Sequence, residues 1–122
     1  MTEDGRNCRE VRRRIALGKE AFNKKKDLMQ TSLSLHLRKH LVKVFVWSVV
    51  LYGSETWTLQ KEDIWRLEAF EMCIWRRMMK VSWTEHKTNE EVLQIVDTER
   101  EIMDTLRSRQ KRWKRSSDMI HY

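Results

Sequence analysis

The residues from Tyr52 to Trp83, YGSETWTLQKEDIWRLEAFEMCIWRRMMKVSW, constrain the fold more than any other part of this chain. They hold four of its six tryptophans: Trp57, Trp65, Trp75 and Trp83. Gly53 suits a helix stop, because glycine adopts the left-handed conformation that closes a helix at little cost. A turn follows, and then a helical pattern from about Leu59 to Lys80. At 3.6 residues per turn, Ile64, Leu67, Phe70, Ile74, Met78 and Val81 form one apolar face. Trp65, Ala69, Met72 and Met79 form a second. Arg66, Arg77 and Lys80 fill one seam between the faces, and Glu68 and Glu71 lie near the other. A helix with two apolar faces has to be covered on two sides. The pattern therefore predicts an all-α fold: a small bundle of about four to five helices around a central amphipathic helix at about 59–80.

Length and turn chemistry agree with this. A chain of 122 residues with no proline and three glycines has few breaks and room for one modest core. The longest apolar run, Leu41 to Tyr52, includes Lys43 and falls short of the ~20 apolar residues needed to span a bilayer. No membrane segment is expected. The N-terminus, MTEDGRNCREVRRR, has no apolar stretch of the kind found in signal peptides, so an intracellular location is expected. Cys8 and Cys73 form no metal or redox motif and read as reduced thiols.

Charge is unevenly placed. Arg6 to Lys43 carries 12 basic and 3 acidic residues, and Arg107 to Arg115 carries 6 basic and none acidic. Between them lie a balanced core and an acidic stretch, Glu85 to Asp104, with 2 basic and 7 acidic residues. The net charge of +7 suits a polyanionic partner, although charge bears on association and not on fold.

From about Asn7 to Met29 the chain predicts a basic amphipathic helix, with Val11, Ile15, Phe22 and Met29 along one stripe. Gly18 lies between them, where another backbone could approach. Its cations fit either a solvated face whose stems cover apolar surface or a face that tracks phosphates. Thr31 to Ser34 read as a break, with Ser32 or Ser34 as N-caps. The next helix is expected from Leu35 to Tyr52, although VFVWSVVLY also has strand character. His36 and His40 have the i, i+4 spacing of zinc ligands, but no third ligand is near and no metal site is expected. Thr88 with Glu91, and Thr98 with Glu101, read as capping boxes opening two further helices. Ile102, Leu106 and Trp113 make one stripe of the last. Trp113 stands among six cations, so it suits a core position or a base-stacking one. The run RSRQKRWKR, residues 107–115, also resembles a nuclear localisation patch or a nucleic-acid contact, with Arg107, Arg109, Lys111 and Arg112 as contact candidates.

The words LYGSETWTL, RLEAFEM, RRMMKVSWTEH and TNEEVL resemble the C-terminal part of the reverse transcriptases of LINE-type (non-LTR) retrotransposons. The likeness runs in order from about Asp4 to Trp113. It implies that 1–57 is a thumb-like basic helical pair and that 58–122 is the central helix plus C-terminal helices, together one compact unit lacking its upstream palm. The thumb of related polymerases grips the template–primer duplex through its backbone. The resemblance thus makes Arg12, Arg13, Lys24, Lys25 and Lys26 the nucleic-acid contacts, with RNA, DNA or an RNA–DNA hybrid as partner. One departure is that Arg112-Trp113 leads into Lys114-Arg115-Ser116-Ser117, where the family has Gly-His and an arginine, as expected of a decayed or partial copy.

RNA-directed DNA polymerisation requires clustered carboxylates for two metal ions. No Asp-Asp pair, phosphate-cradling glycine loop or nucleophile–base set occurs. The expectation is a non-enzymatic fragment without cofactors, binding nucleic acid independently of sequence. Two alternatives stand beside it. One is a protein-interaction module or self-associating unit that exposes Trp47, Trp57, Trp65 and methionines once shielded by the palm. The other is a remnant without function.

Overall fold

The computed structural model describes residues 3–28 and 33–120. Five helices account for most of it, and there is no strand among the described residues. Helix α1 spans Glu3–Lys25 and is extended by a 3-10 turn, Lys26–Leu28. Helix α2 is continuous from Leu35 to Val50, in three parts: α-helical Leu35–Leu41, π-helical Val42–Trp47 and a last α-turn, Ser48–Val50. Helix α3 spans Lys61–Met78, α4 spans Asn89–Val96 and α5 spans Ile102–Ile120. The all-α bundle around a central helix is therefore as expected, with α3 at its centre.

Local chemistry explains most of the boundaries. Ser34 caps α2, its Oγ accepting from Leu37 N–H at 3.2 Å. The expected cap at Ser32 and stripe position Met29 lie outside the described residues. Helix α2 stops at Gly53, which takes φ 76°. Gln60 and Asp63 form a reciprocal capping box at the start of α3. Thr88 caps α4 through Glu91 N–H at 3.1 Å. Two helix ends use no glycine. At the end of α3, Val81 N–H bonds to Arg76 O and Lys80 N–H to Arg77 O. At the end of α4, Thr98 N–H bonds to Leu93 O and Asp97 N–H to Gln94 O. Both are Schellman closures, with Lys80 at φ 57° and Asp97 at φ 60° in the position where glycine is usual.

One buried cluster joins all five helices. Val11 and Phe22 come from α1, and Val42, Val46, Trp47 and Val50 from α2. Leu67, Phe70, Met72, Ile74, Trp75 and Met78 come from α3; Val92 and Val96 from α4; Ile102, Met103 and Leu106 from α5. Trp47 packs edge-on against Trp75, ring centroids 5.6 Å apart, and lies 5.9 Å from Phe70. The π-helical turn helps here, since its wider spacing lets the adjacent Val46 and Trp47 both face inward. Gly18 is a close-approach point, but side chains come close and not another backbone. A Cβ built on it would lie 2.2 Å from Val50 Cγ2 and 2.9 Å from Phe70 Cζ.

The α3 pattern needs correcting on its second side. Met72 is buried and Met79 half-buried, but Trp65 is 68% exposed and Ala69 is exposed as well. Trp75, assigned to neither face, is fully buried. Glu71, placed on a seam, is 1% exposed. Its carboxylate reaches the start of α5 and accepts from Glu101 N–H at 2.8 Å, Ile102 N–H at 3.2 Å and Trp75 Nε1–H at 3.1 Å. Thr98 is thus not the N-cap of α5. Its hydroxyl turns to Glu99 O and the Glu101 carboxylate, and the open N–H groups of α5 are met by a carboxylate from another helix. Burial pushes the Glu71 carboxyl above its ordinary value, against the lowering effect of these bonds.

Candidate nucleic-acid interface

The basic helices α1 and α5 each reach the residues that close α2. Helix α2 leaves carbonyls open at its C-terminus, and both neighbours supply arginines to them. Arg14 donates from Nε to Val49 O at 2.9 Å and also from Nη2, and its guanidinium lies 5.2 Å from the Tyr52 ring centroid. Arg109 donates to Leu51 O at 3.3 Å. Gln110 adds bonds to Ser54 O at 3.1 Å and Trp57 O at 3.0 Å, and Asn7 bonds to Thr58 O at 2.8 Å. A cation at a helix C-terminus is favoured by the dipole, so Arg14 and Arg109 tie two basic helices to a single turn.

Exposed aromatics stand on that turn and on α5. Tyr52 is 71% exposed beside Arg14. Trp113 is 50% exposed and shares a shallow pocket with Arg109, Arg112 and Glu55. The core position open to Trp113 is therefore excluded. Its helix has risen past the end of the packed cluster, which stops at Leu106.

The structure separates the residues expected to grip nucleic acid. Arg12 is exposed on the rim of a groove between α1 and α3. Arg13 points to solvent and pairs with Glu10 at 3.4 Å. Lys24 pairs with Glu20 at 3.8 Å, both well exposed, an arrangement of small energetic weight. Lys25 is half-buried with its ammonium 4.8 Å from the Phe45 ring centroid. Lys26 is exposed in the 3-10 turn. Ten residues of helix, ~15 Å, lie between Arg14 and Lys24, so Lys24, Lys25 and Lys26 sit far along α1 from the shared turn. On α5, Arg107, Lys111 and Arg112 are exposed, whereas Arg109 is half-buried and committed to Leu51 O.

Arg14 and Tyr52 were absent from the expected contacts. Helical spacing puts Arg14 on the flank of the Val11 stripe, which marks it as inward-leaning, but nothing local predicts that it caps α2. Arg38 and Arg76 are buried as well. Arg76 donates to Lys87 O at 2.8 Å and Asn89 Oδ1 at 3.0 Å, fastening the start of α4 to α3.

His36 and His40 are both exposed, and no group of three or more His, Cys, Asp or Glu among the described residues is placed to hold a metal. Cys8 and Cys73 are free and half-buried, with Arg66 Nη1 3.4 Å from Cys8 Sγ. No helix among the described residues is long and apolar enough to cross a membrane.

Fold and surface together define a small helical bundle with a cationic, aromatic-bearing end. Comparison with family models, curated proteins and solved structures gave no match.

Proposed function

We propose that the chain is a thumb-like, palm-less fragment derived from a LINE-type reverse transcriptase, and that it binds RNA, DNA or their hybrid without sequence preference and without catalysis. The observation that carries the binding proposal is the joint anchoring of α1 and α5 on the turn after α2. It gathers Arg14, Arg109, Arg112, Tyr52 and Trp113 at one end of the molecule. With Arg14 and Arg109 engaged on the carbonyls after α2, the exposed α5 cations Arg107, Lys111 and Arg112 are the ones to neutralise phosphates, and Trp113 and Tyr52 offer faces on which bases stack in any sequence. The ordered words from LYGSETWTL to TNEEVL support the origin.

The test is fluorescence anisotropy of a labelled RNA–DNA hybrid at low and near-physiological salt. The comparison sets Lys111→Glu/Arg112→Glu against the triple change of Lys24, Lys25 and Lys26 to Glu. Binding that falls with salt and is lost mainly in the α5 variant is expected. Salt-insensitive binding, or none, refutes the proposal.

A second reading, a protein-interaction module, is favoured by the exposure of Trp65 beside Ala69. Of the residues expected to be exposed, Trp47 and Trp57 are 1% and 8% exposed, Met72, Met78 and Met103 are buried and Met79 is half-buried, while Met1, Met29 and the Met119 side chain lie outside what is described. A nuclear location directed by 107–115 remains part of the first reading and is tested by localising a tagged chain with that run neutralised.

A further inference from the structure

We infer that the groove between α1 and α3 is a docking site for an acidic amphipathic helix of a partner protein; the inference rests on the interaction-module reading and gives it a chemistry.

The groove holds about 280 Å³ and is lined by Ile15, Trp65, Ala69, Phe70 and Cys73, with Arg12, Lys19 and Arg66 on its rim. Its shape argues for a helix. On α1 the lining positions 12, 15 and 19 recur every three or four residues, as do 65, 66, 69, 70 and 73 on α3. Those stretches run about 10–12 Å along their helices at 1.5 Å per residue, which is about two turns of an added helix. Two helices that leave an apolar seam between them offer the ridge-and-groove surface that a third helix fills. Ala69 leaves space in the seam floor, and Trp65 forms one wall at 68% exposure.

Charge selects among helices. No carboxylate among the described residues lines the groove. Arg66 is already engaged, 3.8 Å from Glu62 and 4.0 Å from Asp63. Among the described residues, Arg12 and Lys19 have no ion-pair partner. An apolar seam with two uncommitted cations on its α1 rim complements a helix with an apolar stripe and an acidic flank. A basic helix would meet like charge there, and like-charge contacts reject wrong partners.

The test uses a fluorescein-labelled amphipathic peptide of about 15 residues, long enough to hold some helix, with leucines along one face and glutamates along both flanks. Its anisotropy is read against the full chain and against Trp65→Ala and Arg12→Glu/Lys19→Glu. All three are exposed positions, and circular dichroism melts check that each variant folds. The expected result is binding on the order of 10 μM, weakened at least tenfold in each variant. The same peptide with lysines for glutamates is expected not to bind. A lysine peptide that binds equally overturns the inference, as does an acidic peptide that ignores Trp65→Ala. Concentration-dependent dimerisation lost in Trp65→Ala overturns it in favour of a second copy. Single-stranded DNA binding lost in Trp65→Ala, without competition from the peptide, overturns it in favour of a base-stacking seam. An apolar dye measured alongside separates this inference from the reading beneath it. Dye bound at Trp65 with the peptide ignored removes the acidic helix alone, and no dye bound removes the interaction module too.

Discussion

Removing the Glu71 carboxylate is predicted to loosen the junction that aims the basic helix α5. The carboxylate is 1% exposed and accepts three hydrogen bonds, two of them from the first N–H groups of α5. Glu71→Ala leaves the Glu101 and Ile102 N–H groups and the Trp75 indole without that acceptor. Each stranded buried donor costs about 1–3 kcal/mol. Partial relaxation brings the total to about 3–5 kcal/mol, a large share of the ~5–15 kcal/mol of a whole domain. At roughly 3–5 °C per kcal/mol for this size, the melting temperature falls by about 10–25 °C. Glu71→Gln keeps one acceptor oxygen and loses about 1–3 kcal/mol. pH adds a second test. Burial raises the folded-state pKa above 4.5, so the folded chain holds this proton more tightly than the unfolded chain. Glu71's contribution to stability is therefore greatest below pH 4.5 and falls as pH rises through the raised value. The wild type's margin over Glu71→Gln should be wider near pH 4.5 than at pH 7, as read by urea melts at both. A Glu71→Ala loss under ~1 kcal/mol would refute the capping argument, and a margin that shrinks in acid would refute the desolvation argument.

Gly18→Ala gains about 1 kcal/mol of helix propensity but sets a methyl 2.2 Å from Val50 Cγ2; overpacking of ~1–3 kcal/mol predicts a net loss in thermal melts. The loss should shrink when Val50→Ala is combined with it. Lys80→Gly relieves a side chain at φ 57° and is expected to stabilise by about 0.5–1 kcal/mol, measured as a shifted denaturation midpoint at unchanged slope. Arg76→Met strips two bonds from the start of α4 and is expected to cost about 2–3 kcal/mol, with faster amide exchange across Asn89–Val96 as the local signature. For hybrid binding, three exposed α5 cations, Arg107, Lys111 and Arg112, predict a log–log salt slope of about −2 to −3; a slope near zero would remove the phosphate contacts.

Periodicity located the bundle because apolar side chains must leave water in step with the helix repeat. The stripes through Val11 and Phe22, and through Leu67, Phe70, Ile74 and Met78, are buried as their spacing requires. Gly53, Ser34 and Thr88 marked helix ends because their chemistry acts within a few residues. Contacts between distant residues left no such trace. Glu71 capping α5 joins positions 30 apart, and Arg14 capping α2 joins positions 35 apart. Lys80 and Asp97 close helices in a conformation that sequence assigns to glycine. Trp65 and Trp113 have the spacing of core residues, yet each helix turns that side outward because nothing among the described residues covers it. For the candidate interface, the sequence supplied the cations, but the fold decides which of them share a surface.

That division changes what the charge means. A net +7 suggests an evenly cationic molecule, yet several arginines are consumed inside it. Arg14 and Arg109 hold the end of α2, Arg76 holds α4, Arg38 is buried, and Arg66 answers Glu62 and Asp63. These five work as donors with fixed geometry, which a planar guanidinium does better than an ammonium. Three groups of the remaining cations bear on binding. Arg12 and Lys19 border the α1–α3 groove. Lys24, Lys25 and Lys26 close α1. Arg107, Lys111 and Arg112 are exposed on α5, and Arg112 shares a pocket with Trp113. A polyanion crossing all three groups would have to wrap the bundle. A duplex is stiff over such lengths, so it meets one group at a time. Trp65 borders the first group and Trp113 the α5 group, but the α5 group flanks Arg109, which anchors its helix at the turn after α2, and it is therefore the group on which the proposed nucleic-acid function is tested.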